Sequence, residues 1–365
     1  MYSYSPVVRA KANDLRALSS LIRDASGSTK PLVEASTSII DKHLVIESLD
    51  AIASLLKNPP SGDFYFDALG DTAAISQVEA FAQIAAFFGG RMTPTLALGR
   101  GKLDIASLRH QTHRVGSGIC VRLDLADIES GEETWQELIE LVANIGIAAN
   151  ELDLIFDFRS LKNASIDALK EELVDFLAAK SLQFEPGELV LLGSSALESV
   201  GEIAKDDLTL IQRRELYLWA NTQYEIGPSR NLRFGDYGIV APDFVFGGPN
   251  PNANAKIRYT FGPQVAYFRG HGLLRPNRFP QYHDLARVVA ESEFFMGRHF
   301  SLGDEGIFQC ATHECGPGNL GTWVFNDMSH HMQIVAEQQV ALTAKIAATR
   351  SAKNVAKVLE SLNPF

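Results

Sequence analysis

Residues 152–159 read LDLIFDFR. In an extended chain Leu154, Phe156 and Phe158 share one face, and Asp153, Ile155, Asp157 and Arg159 share the other. One face can pack on helices while the other ends in acid and base, which suits a strand of a parallel barrel whose inner face opens at the C-terminal mouth. The pattern recurs, predicting strands over 4–11, 30–36, 63–69, 94–98, 118–124, 152–159, 188–193 and 232–244. Helical periodicity predicts helices over 15–23, 41–56, 72–88, 132–147, 165–179, 195–204 and 208–220. Asn58-Pro59-Pro60 stops the second of these, Gly89-Gly90 closes the third, and acids open the fourth. Asn13 or Asp14 is placed to cap the first helix.

Strand-then-helix repetition of this kind predicts an α/β protein with a (β/α)8 TIM-barrel-like fold. No G-x-G-x-x-G follows the first strand, which argues against a dinucleotide-binding sheet. Gly99-Arg100-Gly101-Lys102 lacks the full spacing of a phosphate loop and reads as a turn. After the eighth strand the rhythm breaks. Residues 249–321 are rich in Gly, Pro, Asn, His and aromatic residues, with a strand pair expected around 257–269 and a helix over 282–295. A regular helix returns at 328–348 as the C-terminal barrel helix. The expectation is one barrel-like domain over 1–365, with 249–321 an irregular insertion or lid over the mouth.

Composition adds exclusions. The 365 residues are 46% hydrophobic and 21% charged, as in a globular protein. A net charge of −11 argues against general nucleic-acid binding, which needs a basic face. No apolar run is long enough to cross a bilayer and the first residues lack a signal-peptide core, so no membrane and a cytoplasmic location are expected. Three cysteines do not make a disulfide framework.

Candidate chemistry lies at the strand ends. Lys11, Glu34, Asp67, Arg122, Asp124, Asp157, Arg159 and Asp236 converge on one mouth if the barrel closes. Glu34, Asp67, Asp157 and Asp236 are candidates for acid and base work or for holding a divalent metal. Lys11, Arg122 and Arg159 can grip a phosphate or carboxylate. The competing interpretation is that pairs such as Arg122/Asp124 and Asp157/Arg159 neutralise one another inside the barrel. Arg258, Tyr259, Arg269 and His271 can contact an anion above the mouth, or form a solvated strand face. Cys310-x-x-His313-x-Cys315 with His330-His331 offers zinc ligands without finger spacing, and ordinary packing is the simpler account. Ser194-Ser195 lacks the G-x-S-x-G frame of a nucleophile.

A set of short motifs adds a resemblance: the opening Tyr4-x-Pro6-x-x-Arg9-x-Lys11, Pro31-Leu32-x-Glu34, Asp157 closing an apolar strand, Phe234-Gly235-Asp236-Tyr237, Arg258-Tyr259-Thr260, Trp323 and His330-His331. Together they resemble the beta protein family, named for a satellite-phage protein and found in prophages and bacterial defence islands. The resemblance implies a phage-defence or toxin-neutralising setting with a protein partner encoded nearby, and carries over no catalytic residue. On these grounds the mouth is expected to bind a small anionic or phosphorylated ligand, with Asp124, Tyr237, Arg258, Tyr259 and His271 joining the cations. The alternatives are a metal- or acid/base-dependent barrel hydrolase, including a metabolic enzyme unrelated to defence, and a non-catalytic protein-binding module.

Overall fold

Eight parallel strands close into a barrel in the computed structural model, which describes all residues except 1, 41–42, 73, 100–103, 180–183, 206, 244–252, 274–277, 350 and 363–365. In chain order the strands are β1 (Tyr4–Arg9), β2 (Leu32–Glu34), β3 (Thr37–Ile40), β4 (His43–Ile46), β5 (Phe64–Asp67), β6 (Met92–Ala97), β7 (Ile119–Leu123), β8 (Leu152–Ser160), β9 (Leu189–Ser194), β10 (Asp207–Gln212), β11 (Leu232–Asp236), β12 (Asn254–Phe261) and β13 (Gln264–Gly272). The barrel runs β1-β11-β9-β8-β7-β6-β5-β2, and β2 pairs back onto β1. The expected (β/α)8 fold is therefore present. Arg100, Gly101 and Lys102 of the expected turn lie outside the described residues, as do Phe244 of the expected eighth strand and 249–252 and 274–277 of the expected insertion.

The alternation seen in 152–159 builds this barrel in layers. Outward residues such as Leu154 and Phe156 are fully buried against the helix ring, where Phe156 meets Phe176 edge to face at 5.8 Å. Inward residues form a middle apolar plug that includes Val7, Leu32, Tyr65, Cys120, Ile155, Val190 and Leu192. Two residues earlier on β8, Asp153 binds the Lys30 ammonium at 3.1 Å and the Tyr65 hydroxyl at 2.8 Å, which seals the N-terminal end. Two residues later on β1, β2, β5, β7 and β8 stand Arg9, Glu34, Asp67, Arg122 and Asp157. The period of two thus carries charge to both ends of an apolar plug.

Several local expectations are corrected. The helix expected over 41–56 begins only at Ser48, because His43–Ile46 pairs with Thr37–Ile40 as a hairpin. The helix expected over 208–220 is strand β10 followed by the helix Arg214–Ile226, and β10 pairs antiparallel with β13. The sheet β10-β13-β12 therefore draws one strand from between β9 and β11 and two from after β11. Leu302–Ala311 is a further helix, capped by Ser301 accepting from the Asp304 N–H. The last long helix starts at Leu320, not 328, and runs to Ala347. Its middle is polar and buried because it bridges two bodies of structure. Ser329 meets Ser20 at 2.9 Å and Asp327 accepts from Arg258 at 2.9 Å.

Candidate functional site at the barrel mouth

Three mouth strands end in the same turn. The Oδ1 atoms of Asp67, Asp157 and Asp236 accept from the N–H two residues on, at Leu69 (2.8 Å), Arg159 (3.0 Å) and Gly238 (3.0 Å). Each donor residue sits at positive φ: 61° at Leu69, 51° at Arg159 and 60° at Gly238. A glycine takes that conformation freely, whereas leucine and arginine are strained by it. The turn fixes one carboxylate oxygen and directs the second inward in Asp67 and Asp157.

Arg122 takes up that face. Its guanidinium is buried, donating to Asp157 Oδ2 at 2.9 Å, Glu34 Oε2 at 3.1 Å, Asp67 Oδ2 at 2.9 Å and the Tyr237 hydroxyl at 2.6 Å. The Tyr237 hydroxyl donates onward to Asp157 Oδ2 at 2.6 Å. Burial weakens a charge, but Tyr237, Asp157, Glu34 and Asp67 outweigh it here, and the Arg122 pKa lies above the ordinary arginine value. Every guanidinium nitrogen is engaged, so Arg122 is the hub of a buried ionic layer with no nitrogen turned to an incoming anion.

The other expected site residues scatter. Asp236 joins a different network: it accepts from the Tyr4 hydroxyl at 2.7 Å and faces His331 Nε2 at 3.0 Å, while His331 Nδ1 meets the Thr260 hydroxyl at 2.7 Å. Burial pushes Asp236 up, but His331, Arg213 and Tyr4 together hold its pKa below the ordinary carboxylate value. Arg159 leaves the inner face at a register shift in β8; its side chain is 42% exposed and pairs with Asp243. Asp124 is exposed and caps the helix Leu125–Glu129 by accepting from the Asp127 N–H at 3.1 Å. Tyr259 is buried, donating to Asp304 at 2.7 Å and stacking on His330 at 3.7 Å. His271 is exposed on β13, and its N–H donates to Gln281 at 2.7 Å. The same-face pairing of Arg122 with Asp124 is thus replaced by cross-strand pairing around Arg122, while Arg159 keeps a longer contact of 3.8 Å to Asp157 beside its pair with Asp243.

Of the residues considered for zinc, His330 and His331 are committed elsewhere. His330 faces Asp304 Oδ2 at 2.9 Å and the Thr260 carbonyl at 2.7 Å. Cys310 is buried beside His283, and Cys315 is exposed. Among the described residues no cluster of three or more His, Cys, Asp or Glu side chains is disposed to hold a metal ion.

Above the Arg122 layer lies a cleft of about 270 Å³. Four cations line it: Arg9 and Lys11 from the end of β1, and Lys256 and Arg258 from one face of β12. Asp14 and Glu198 are its acids, and Ile239, Val240 and Val324 contribute apolar wall. Arg258 is held by Asp327 and by the Ile239 carbonyl at 2.8 Å, and Lys11 lies 3.8 Å from Glu47. Lys256 is different: among the described residues no acceptor reaches its ammonium. Burial first, and Arg258 second, pull its pKa down to about 8, with Asp327 opposing. A small chamber of about 10 Å³, lined by Val7, Arg9, Asp14, Glu34, Tyr237, Val240 and Met328, shares Arg9, Asp14 and Val240 with the cleft and Glu34 and Tyr237 with the ionic layer.

Of the residues lining the cleft, sequence patterns singled out Lys11 and Arg258. Lys256 carried a usable signal, because Lys256 and Arg258 alternate with Ala255, Ile257 and Tyr259 and so share a face. Arg9 carried the same signal beside Lys11. Asp14 carried none, since it looked like a helix cap; the cap position is Lys11.

Among solved structures, the chain resembles an alanine racemase from Clostridium difficile 630 in complex with cycloserine (13% identity, TM-score 0.33), covering 74% of this chain and 64% of that one. It also resembles a thermostable mutant of the xylanase Xyn10A from Cellvibrio japonicus (9% identity, TM-score 0.35), covering 67% of this chain and 86% of that one. The chain therefore spans less than two thirds of the racemase. No protein of curated function matches the sequence. No helix among the described residues is long and apolar enough to cross a membrane. Phe234-Gly235-Asp236-Tyr237 supplies the last barrel strand and the tyrosine of the Arg122 layer, and Arg258-Tyr259-Thr260 supplies the cleft wall and the partners of Asp304 and His331. These short motifs belong to a pattern that runs through most of the molecule: the Beta protein family matches residues 4–337, and the chain belongs to that family.

Proposed function

We propose that this protein binds a small anionic, phosphate-bearing molecule in the mouth cleft, and that it does so in the cytoplasm in the phage-defence or toxin-neutralising setting that the family resemblance implies. The observation that carries the reading is Lys256, a partly buried ammonium with no acceptor among the described residues, in a cleft it shares with Arg9, Lys11 and Arg258. A cation held without a counter-ion costs stability, and a bound anion removes that cost. At about 270 Å³ the cleft lies just under the roughly 300 Å³ at which drug-sized pockets begin, so it suits a small metabolite and not a polymer. In this reading Arg122, Glu34, Asp67 and Asp157 form the floor, Lys11 keeps its expected role, and Arg122 and Arg159 are replaced as anion-binding cations by Lys256 and Arg9.

Calorimetric titration of the purified protein with inorganic phosphate and simple phosphate monoesters tests the proposal. Binding is expected, weaker at high salt, and absent in Lys256→Met. No binding by any of these probes overturns it. The setting is tested separately by plating phage on cells that express the parent or Lys256→Met. Protection, or rescue from a toxic neighbour-encoded partner, is expected only with the parent.

A second reading, docking of a protein partner, is favoured by one observation. Strand β10 is a sheet edge on which Leu208 and Leu210 are exposed. Charged replacements there that abolish protection while leaving phosphate binding intact would favour it.

A further inference from the structure

The geometry points to a ligand with a hydroxyl group beside its anionic end, a phosphate monoester of a polyol or sugar, whose hydroxyl is received by the Asp14 carboxylate. The inference rests on the anion-binding reading of the cleft and narrows it.

Asp14 is 7% exposed, yet among the described residues no hydrogen bond or ion pair within contact distance reaches its carboxyl group. A carboxylate buried to that extent is normally satisfied. Asp14 lines both the cleft and the small chamber, as do Arg9 and Val240. The charged groups that act on it are Arg9, Lys11, Arg258 and Glu34. The first three come from the cleft and draw a phosphate to the same place. Asp14 therefore does not serve the anion, which it repels. It suits a donor carried on the same molecule.

The chamber sets the size of that donor. About 10 Å³ admits a single water-sized group. Apolar Val7, Val240 and Met328 form part of its wall, and Arg9, Glu34 and Tyr237 line it beside Asp14. A hydroxyl on the carbon chain of a phosphate monoester fits this arrangement: the oxyanions meet Arg9, Lys11 and Lys256, and the hydroxyl enters the chamber and donates to Asp14. A larger ammonium group brings more hydrogens than the chamber has free acceptors for.

Propyl phosphate and glycerol 3-phosphate test this directly, because they share charge and chain length and differ in hydroxyls. Both are titrated into the full-length protein by calorimetry at pH 7.5, with inorganic phosphate as a third probe. The parent is expected to bind glycerol 3-phosphate about tenfold more tightly than propyl phosphate, the scale of one hydrogen bond to a charged acceptor. In Asp14→Asn the gap is expected to narrow to about threefold or less. Equal affinity of the two esters in the parent overturns the hydroxyl inference while leaving the anion-binding cleft standing. Failure of all three probes overturns the anion reading, and this inference with it. The parent comparison needs no variant to fold. An undiminished preference in a folded Asp14→Asn removes Asp14 from the role.

Discussion

The ionic layer inside the barrel and the cleft above it are built from the same residue types, in opposite states. In the layer one guanidinium is surrounded by three carboxylates and a phenol, every contact within 3.1 Å, and all the groups are buried. In the cleft four cations and a buried acid share a wall, and Lys256 and Asp14 have no partner in contact among the described residues. Charge on an inner barrel face does not by itself mark a site. The mark is charge that the protein has left unanswered, because such a group costs stability until something else answers it.

The largest test of the contrast is to break the layer. Arg122→Met strands Glu34, Asp67 and Asp157 in a buried space and should cost about 3–5 kcal/mol in urea unfolding. A loss of less than about 1 kcal/mol would mean that the layer is no more structural than the cleft. Asp157→Asn keeps an acceptor but removes the charge facing Arg122 and Arg159, and about 2–3 kcal/mol of destabilisation is expected.

Replacements in the cleft should move stability the other way. Burial raises the Asp14 pKa from 3.8 to about 6, with Arg9, Lys11 and Arg258 opposing and Glu34 adding to the rise. The folded chain therefore holds that proton to higher pH than the unfolded chain, and stability falls as pH rises from about 4 to about 6. Asp14→Asn escapes this loss. It should be more stable than the parent by about 1–3 kcal/mol at neutral pH, the difference closing below about pH 4. A constant difference across that window, followed by thermal unfolding at several pH values, would sink the assignment.

Lys256→Met carries the smallest effect on stability, a gain of about 1 kcal/mol near neutral pH, together with loss of phosphate binding. The folded pKa of about 8 lies below the ordinary 10.5, so the parent regains stability as pH rises through that interval. The gain should shrink over the same range.

Much of the barrel was legible in the sequence. A period of two that puts Leu154 and Phe156 outside and Asp153, Ile155 and Asp157 inside is local information, and so is its recurrence. The errors fell where pairing is remote. Residues 207–212 form a strand because β13 lies beside them, and β13 is more than fifty residues on. His43–Ile46 looked like the start of a helix because its apolar spacing fits both periods, and hairpin pairing with β3 decided it. Arg159 was placed on the inner face by strict alternation, and the register shift after Asp157 turned it out towards Asp243.

By itself, the sequence determined the parallel barrel, the family and the placing of Glu34, Asp67, Arg122, Asp157 and Asp236 at or near strand ends. These depend on periodicity and on motifs read within single elements. Only the tertiary structure decided which charges are satisfied. Whether Asp157 is tied first to Arg122 or to Arg159, whether His331 holds a metal or Asp236, and whether Asp14 caps a helix or faces a cavity are questions of distance between elements far apart in the chain. A buried charge is stable or costly according to what stands within about 4 Å of it, and no local pattern encodes that neighbour.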